Sequence, residues 1–367
     1  SVQLQLPQKK GTVKEVKIKE PKKSTETISI VEEILPIDIK ESTSENINIQ
    51  IPNPENIDST IDESVNEDIK IDINRVKIRV ALIYPSKLVE KYAKSSLNTI
   101  SGYLSYQNAD YELIAIDCET ESYDKINSAF SSLAQTGITN VIALFTPNAI
   151  NSLESIVSSN LKVYLPLIEK KDSLSNNESL IFGSISYEQQ IQKLSSYSSS
   201  NNVMFYQNSY IGNKLKKAYD SVIYETKTKK EISKDEKNFR GIVNDYRLNN
   251  SSLYLNTDIV KTSLILSQIV AYNISPRVIF STQLNYDPMI MMLTQEKDRE
   301  KLIIANSIDT VNKELKDEIA NFGGNIVYEW VDYSTLVGIN YLYYGANSSL
   351  IQTQIVDNQA VYNPKLY

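Results

Sequence analysis

The chain of 367 residues contains no histidine and a single cysteine, Cys118. Serine, cysteine and zinc mechanisms that rely on an imidazole are therefore excluded, as are Cys-rich metal sites and an intrachain disulfide. Carboxylates, lysines, tyrosines and hydroxyls remain. Asp309, Asp317 and Glu318 lack the spacing of a calcium loop. Neither glycine-rich phosphate fingerprint occurs, and Gly323-Gly324 reads as a turn after a helix. We therefore expect no catalytic residue, no metal and no cofactor. Cys118 ends an apolar run with no basic residue nearby to depress its thiol, so it reads as a packing residue. The lysine patch Lys227, Lys229, Lys230, Lys234 and Lys237 is interleaved with Glu225, Glu231, Asp235 and Glu236 and reads as a solvated face or loop. The net charge of -7 speaks against a nucleic-acid partner.

The elements that must position these groups alternate. Residues 76–84 (VKIRVALIY) form a strand whose inner half is continuously apolar, as in a sheet covered on both faces. Leu88, Tyr92, Leu97, Ile100, Tyr103 and Leu104 then recur at helical spacing. Strands follow at 111–117, 140–145, 161–168 and 180–186, with helices at 122–136, 147–159 and 187–200 between and after them. Gly137 suits a helix C-cap and Pro147 a first helical turn. A second series has strands at 202–207, 252–256, 277–281, 301–306 and 325–330. Its helices lie at 210–224, 259–272, 286–295 and 311–322, and a last helix at 332–344 precedes a tail. Such alternation predicts an α/β fold with two Rossmann-like lobes, 76–186 and 187–330, and a segment 331–367 that returns to the first lobe.

Residues 1–75 are a different material. No aromatic residue occurs before Tyr84, although the chain has 24 tyrosines. A basic block (Lys9, Lys10, Lys14, Lys17, Lys19, Lys22, Lys23) precedes an acidic one over 26–72. Without bulky apolar residues to offset chain entropy, this stretch is expected to be an extended or disordered tether. Isoleucine alternates with polar residues at Ile47, Ile49 and Ile51 and again at Ile69 and Ile71. Period two is the signature of an extended strand, so these are candidate segments for adding to a partner's sheet edge, or an isoleucine-rich linker. Tyr341, Tyr343 and Tyr344, in a dense aromatic region with Tyr328, Trp330 and Tyr333, are candidates either for a partner surface or for ordinary packing.

In open α/β sheets, ligands sit beyond the carboxyl ends of the strands. In the first lobe this rule selects Tyr84 and Ser86, Glu119, Thr146 with Asn148, and Glu169. In the second it selects Asn208 and Tyr210, Thr257, and Ser281 with Gln283. Thr146 and Asn256-Thr257-Asp258 also suit plain helix N-caps, and both readings stand.

Two consecutive lobes opening with VKIRVALIYP and a long helix resemble the type I periplasmic-binding-protein fold. ITNVIALFTPNAINSLESI is similar to its third strand and helix, and NVMFYQNSYIGNKLKKAY to the start of its second lobe, with Tyr210-Ile211-Gly212 one residue longer than the usual Tyr-Gly. PRVIFSTQLNYDPMIMMLTQ, LIIANSI and NIVYEWVDYSTLVGINYLY look closest to the penicillin-binding-protein activator (LppC-type) branch. The resemblance covers about residues 76–345. It implies a non-catalytic bacterial envelope protein, periplasmic or associated with the outer membrane. Its first expected role is a scaffold or regulatory subunit that contacts other envelope proteins through the tether and the aromatic C-terminal region, in cell-wall synthase regulation or a machine such as the flagellar motor. The alternative is a solute-binding protein that closes on an amino acid or similar small molecule. Members that bind amino acids hold the amino group with a carboxylate, for which Glu119 and Glu169 stand nearest. Membrane attachment upstream of Ser1 and homo-oligomerisation are further expectations.

Overall fold

The computed structural model describes residues 12–17, 77–174 and 176–367. Ile47, Ile49, Ile51, Ile69 and Ile71 lie outside the described residues. Two sheets organise the rest. The first contains β1 (Thr12–Lys17), β2 (Lys77–Tyr84), β3 (Asp110–Asp117), β4 (Asn140–Ala143), β5 (Lys162–Leu165) and β6 (Leu180–Phe182). The second is built on β7 (Asn202–Gln207), β8 (Thr228–Ile232), β9 (Ser252–Asn256), β10 (Val278–Ser281) and β11 (Leu302–Asn306). The C-terminal hairpin β12 (Gln354–Val356) and β13 (Gln359–Val361) joins the first sheet, and β14 (Lys365–Leu366) joins the second. Strand orders are β1-β3-β2-β4-β5-β6-β13-β12 and β14-β11-β10-β9-β7-β8. Every pairing among β1–β11 is parallel, as the alternation of strands and helices requires.

The helices are α1 (Ser86–Tyr106), α2 (Tyr123–Thr136), α3 (Ile150–Ile156), α4 (Tyr187–Ser195), α5 (Tyr210–Val222), α6 (Arg240–Val243) and α7 (Ile259–Ala271), followed by α8 (Met289–Leu293), α9 (Glu296–Arg299), α10 (Lys313–Asn321) and α11 (Trp330–Tyr344). The side chains of β2 show why its apolar run is continuous. Val80, Leu82 and Tyr84 pack into a core with α1 and α11, while Ala81 and Ile83 pack into a separate core with α2 and α3. The first of these cores continues through Met204, Tyr254 and Phe280 of the second sheet. A third core lies on that sheet's other face under α7, around Phe205, Leu255 and Ile265. Gly137 ends α2 in the left-handed region at φ 69°, as its C-cap position requires.

The chain crosses between sheets three times: between β6 and α4, between β11 and α10, and between β13 and β14. Helix α10 packs on α1. Two expectations are corrected. Residues 325–330 are not a strand: Ile326 and Trp330 are buried one helical turn apart, and Asn325 donates its backbone N–H to Asp332 at the start of α11. The slot beside β11 goes to β14 instead, whose Lys365 ion-pairs with Asp309 at 2.7 Å. The lysine-rich stretch contains an edge strand, β8, in which Lys229 reaches Asp220 and Lys230 reaches Asp245. Tyr343 stacks edge-on to Tyr103 of α1 and to Tyr344, and Tyr344 donates to Gln107, while Tyr341 is half-buried. Residues 12–17, inside the expected tether, form β1 on the outer side of β3.

Candidate functional site

The carboxyl ends of β3, β4 and β5 meet the N-terminus of α5 across the junction of the two lobes. At the end of β3 the chain turns through Glu119 at φ 63°. Asp117 accepts the backbone N–H groups of Ser86 and Glu119, tying the β2 and β3 ends together. Glu119 is occupied by Lys87 at 3.6 Å and Lys125 at 3.3 Å. Two residues on, Glu121 accepts two bonds from Thr146, at 2.5 Å from its backbone N–H and 2.7 Å from its hydroxyl. Thr146 therefore binds a neighbouring loop and does not cap the 3-10 turn at Pro147–Ala149. Burial raises the carboxyl of Glu121, and the two Thr146 bonds pull it back only in part.

Beyond β5, Glu169 is 6% exposed. Burial pushes its carboxyl up to about 7 against the opposing pull of Lys171 and Lys214, with Glu188 and Asp172 adding to the rise. Its Oε1 has no hydrogen-bond partner among the described residues, with Lys171 Nζ 3.4 Å away. Lys171 lies closer to Glu188, at 2.5 Å. Lys214 of α5 stands over the Tyr187 ring at 5.8 Å from its centroid. The phenol of Tyr210, also on α5, is raised by burial and then by the charges of Asp172 and Glu121. These couplings place the start of α5 opposite the first lobe's carboxylates. Ser209 caps α5 by accepting the Gly212 N–H at 3.1 Å. A Cβ on residue 212 would lie 2.0 Å from the Gln207 carbonyl oxygen, so only glycine permits this tight entry.

The second lobe's strand ends are built differently. Asn285 donates to the Thr257 carbonyl, to Thr262 and to Ser281 at 2.7–3.1 Å. Gln283 accepts the Ser307 N–H at 2.7 Å, and its own N–H donates to Gln190, whose side chain in turn donates to Ser307. The strand-end rule thus selects residues of three kinds. Thr146, Glu169 and Tyr210 gather at the junction. Thr257, Ser281 and Gln283 are buried at strand ends of the second lobe but form internal networks. Tyr84 is buried and Ser86 is tied to Asp117 through its backbone, while Glu119 is taken up by two lysines. Asn148 is exposed, and Asn208 is bound to Glu231 at 2.9 Å, on the β8 edge. Sequence reading missed Glu121, Asp172, Tyr187 and Lys214. Only their positions just past the ends of β3 and β5, at the β6–α4 crossover and one turn into α5 could have marked them. Cys118 is 1% exposed and burial pushes its thiol up, as its packing role requires.

Around Glu169 and Tyr210, four carboxylates (Glu121, Glu169, Asp172, Glu188) thus stand against two lysines, Lys171 and Lys214. Of these carboxylates only Glu169 is buried, Glu121 and Glu188 are half-buried and Asp172 is exposed, and this local excess of acidic groups favours a cationic group brought in from outside. Among the described residues no group of three or more acidic or cysteine side chains is placed to hold a metal ion. No described helix is long and apolar enough to cross a membrane.

No protein-family model matches the sequence, and no curated protein does. The fold is similar to solved solute-binding proteins. The branched-chain amino acid transporter substrate-binding protein LivJ from Streptococcus pneumoniae, in complex with isoleucine, aligns with a TM-score of 0.58 and 12% identity over 79% of this chain and 95% of that one. A putative branched-chain amino acid ABC transporter from Rhodospirillum rubrum aligns at 0.63 and 9% identity over 80% and 96%. A solute-binding protein from R. palustris in complex with 4-hydroxybenzoate aligns at 0.55 and 8% identity over 79% and 92%. These likenesses establish two lobes of the type I periplasmic-binding-protein kind. They do not show the penicillin-binding-protein activator branch.

Proposed function

We propose that this chain is a non-catalytic, envelope-located solute-binding module whose lobes close on a small organic molecule bearing a protonated amine. One observation carries the reading. At the lobe junction Glu169 is buried beside other carboxylates, its Oε1 held only by a long 3.4 Å ion pair to Lys171, which sits closer to Glu188, and it is coupled to Lys214 of α5 in the opposite lobe. An ammonium group entering there gains a charge-assisted bond to the buried carboxylate, and lobe closure brings Tyr210 over it. The similarity to solute-binding folds supports this reading above the scaffold one. The test is a thermal-shift panel of amino acids, amines, neutral polyols and aromatic acids on the full chain. Amine-bearing solutes are expected to raise the midpoint, since a ligand of the folded state alone must stabilise it. A panel in which only amine-free acids do so contradicts the reading.

A second reading rests on the other lobe. There Thr257, Ser281 and Gln283 direct most of their hydrogen bonds to Asn285, Gln190 and Ser307 rather than to the cleft. That arrangement suits a protein that kept the fold for contacts with other envelope proteins. A panel with no shift at all, together with co-purification of a partner, favours it.

A further inference from the structure

We propose that the outer edge of β3 is a strand-addition site whose occupant, Thr12–Lys17, is exchangeable, so that a second copy of this chain can supply it. The inference is independent of what the cleft binds. One edge of β3 is filled along its whole length by β2, which pairs Asp110–Asp117 with Lys77–Tyr84. The other edge is filled by β1, with Thr12 opposite Glu112 and Lys17 opposite Asp117, and β1 ends the sheet. Residues Leu113 to Ile116 are apolar and buried. Stripped of β1, they would form a long apolar edge of the kind that natural proteins cover. The second sheet needs no such cover at β8, whose Lys229, Lys230 and Glu231 make that edge charged.

Its backbone ladder pairs β1 with β3 in parallel. A parallel pair cannot be closed by a tight hairpin, and residues 18–76 separate β1 from β2. A connection of roughly 60 residues imposes no covalent bar on reaching a neighbouring molecule, since an extended chain spans up to ~3.3 Å per residue. The same ladder in the same register therefore forms whether the strand comes from its own chain or from another copy. Mass action decides between them. The tethered strand competes at an effective concentration of about millimolar, so it pairs within its own chain in dilute solution. Exchange grows as the protein itself becomes that concentrated, and reciprocal exchange closes a twofold dimer.

Two versions of the full chain with one added cysteine each, Thr12→Cys and Glu112→Cys, test this when mixed at near-millimolar concentration under mild oxidation. Register partners on adjacent strands lie about 4.8 Å apart, within disulfide reach. Cys118 stays silent because it is buried and its thiolate is suppressed. The expected result is a covalent heterodimer that rises with concentration and exceeds by many-fold the yield from Thr12→Cys mixed with Tyr123→Cys, an exposed position on α2. The double variant T12C/E112C, kept dilute, is expected to crosslink within one chain. Internal crosslinking of the double variant with no heterodimer above the mismatched control makes β1 a fixed strand and overturns the proposal. A double variant that does not crosslink overturns it as well, because β1 then does not sit on β3.

Discussion

The two faces of the cleft use polar residues in opposite ways. On the first lobe, Glu169 is buried and Glu121 half-buried, and their surroundings only partly compensate the lost water. On the second, Asn285 and Gln283 tie Thr257, Ser281, Gln190 and Ser307 into neutral networks, in which Asn285 Oδ1 and Gln283 Nε2 keep no partner among the described residues. A neutral hydrogen-bonded network rigidifies the strand ends that it joins, whereas an undercompensated buried charge favours a counter-charge. The difference implies that the first lobe selects the ligand and the second supplies a firm surface to close against.

The largest expected effect comes from breaking the rigid face. Gly212→Leu must move either the Gln207 backbone or the entry of α5. It is expected to destabilise the protein by about 3 kcal/mol or more in urea unfolding, and a variant of near wild-type stability would mean that α5 starts more loosely than described. Next is Asn285→Ala, which strips one donor from three buried acceptors and is expected to cost about 2–3 kcal/mol. Ligand affinity should change little in that variant, because the first lobe carries selection. An affinity loss as large as the stability loss would undo the contrast between the faces.

Glu169→Gln probes the opposite face, and its sign is the informative part. The carboxyl rises from 4.5 to about 7 on folding, so between those values the folded protein holds a proton that the unfolded chain has released. Stability therefore falls as pH rises through that window and levels off above it. Removing the charge is expected to raise stability by up to about 3 kcal/mol at pH 8 and to change it little at pH 4. Destabilisation at pH 8 would mean that Lys171 and Lys214 already compensate Glu169. Glu121→Gln is the smallest step. It loses one of two acceptors for Thr146 but also sheds a buried charge, and a net change under about 1 kcal/mol in thermal unfolding is expected.

The fold was legible where apolar runs of strand length end in turn residues. Residues 202–207 and 252–256 have the same bounds in the sequence reading and in the structure. Legibility failed where an element is decided from elsewhere in the chain. β8 reads as a solvated lysine stretch because an edge strand leaves both its faces partly wet. The stretch Asn325–Trp330 alternates like a strand, yet Asp332 and helical spacing claim it for the entry into α11. The C-terminal tail hides a hairpin whose only local mark is Asp357-Asn358, both in the left-handed conformation of a two-residue turn. At the site, Thr146 and Glu169 followed from the strand-end rule. Glu121 did not, since nothing in Cys118–Asp124 distinguishes it from Glu119 until Thr146 arrives from the next strand.

The most direct measurement is calorimetric titration at pH 8 of wild type and Glu169→Gln with the amine-bearing solute that gives the largest thermal shift. The account predicts binding to wild type that weakens as the pH is lowered below about 7, where Glu169 takes up a proton, and a loss of at least ~10-fold in Glu169→Gln at every pH above it. Equal affinity of the two proteins at pH 8 would contradict the claim that the first lobe's buried carboxylate selects the ligand.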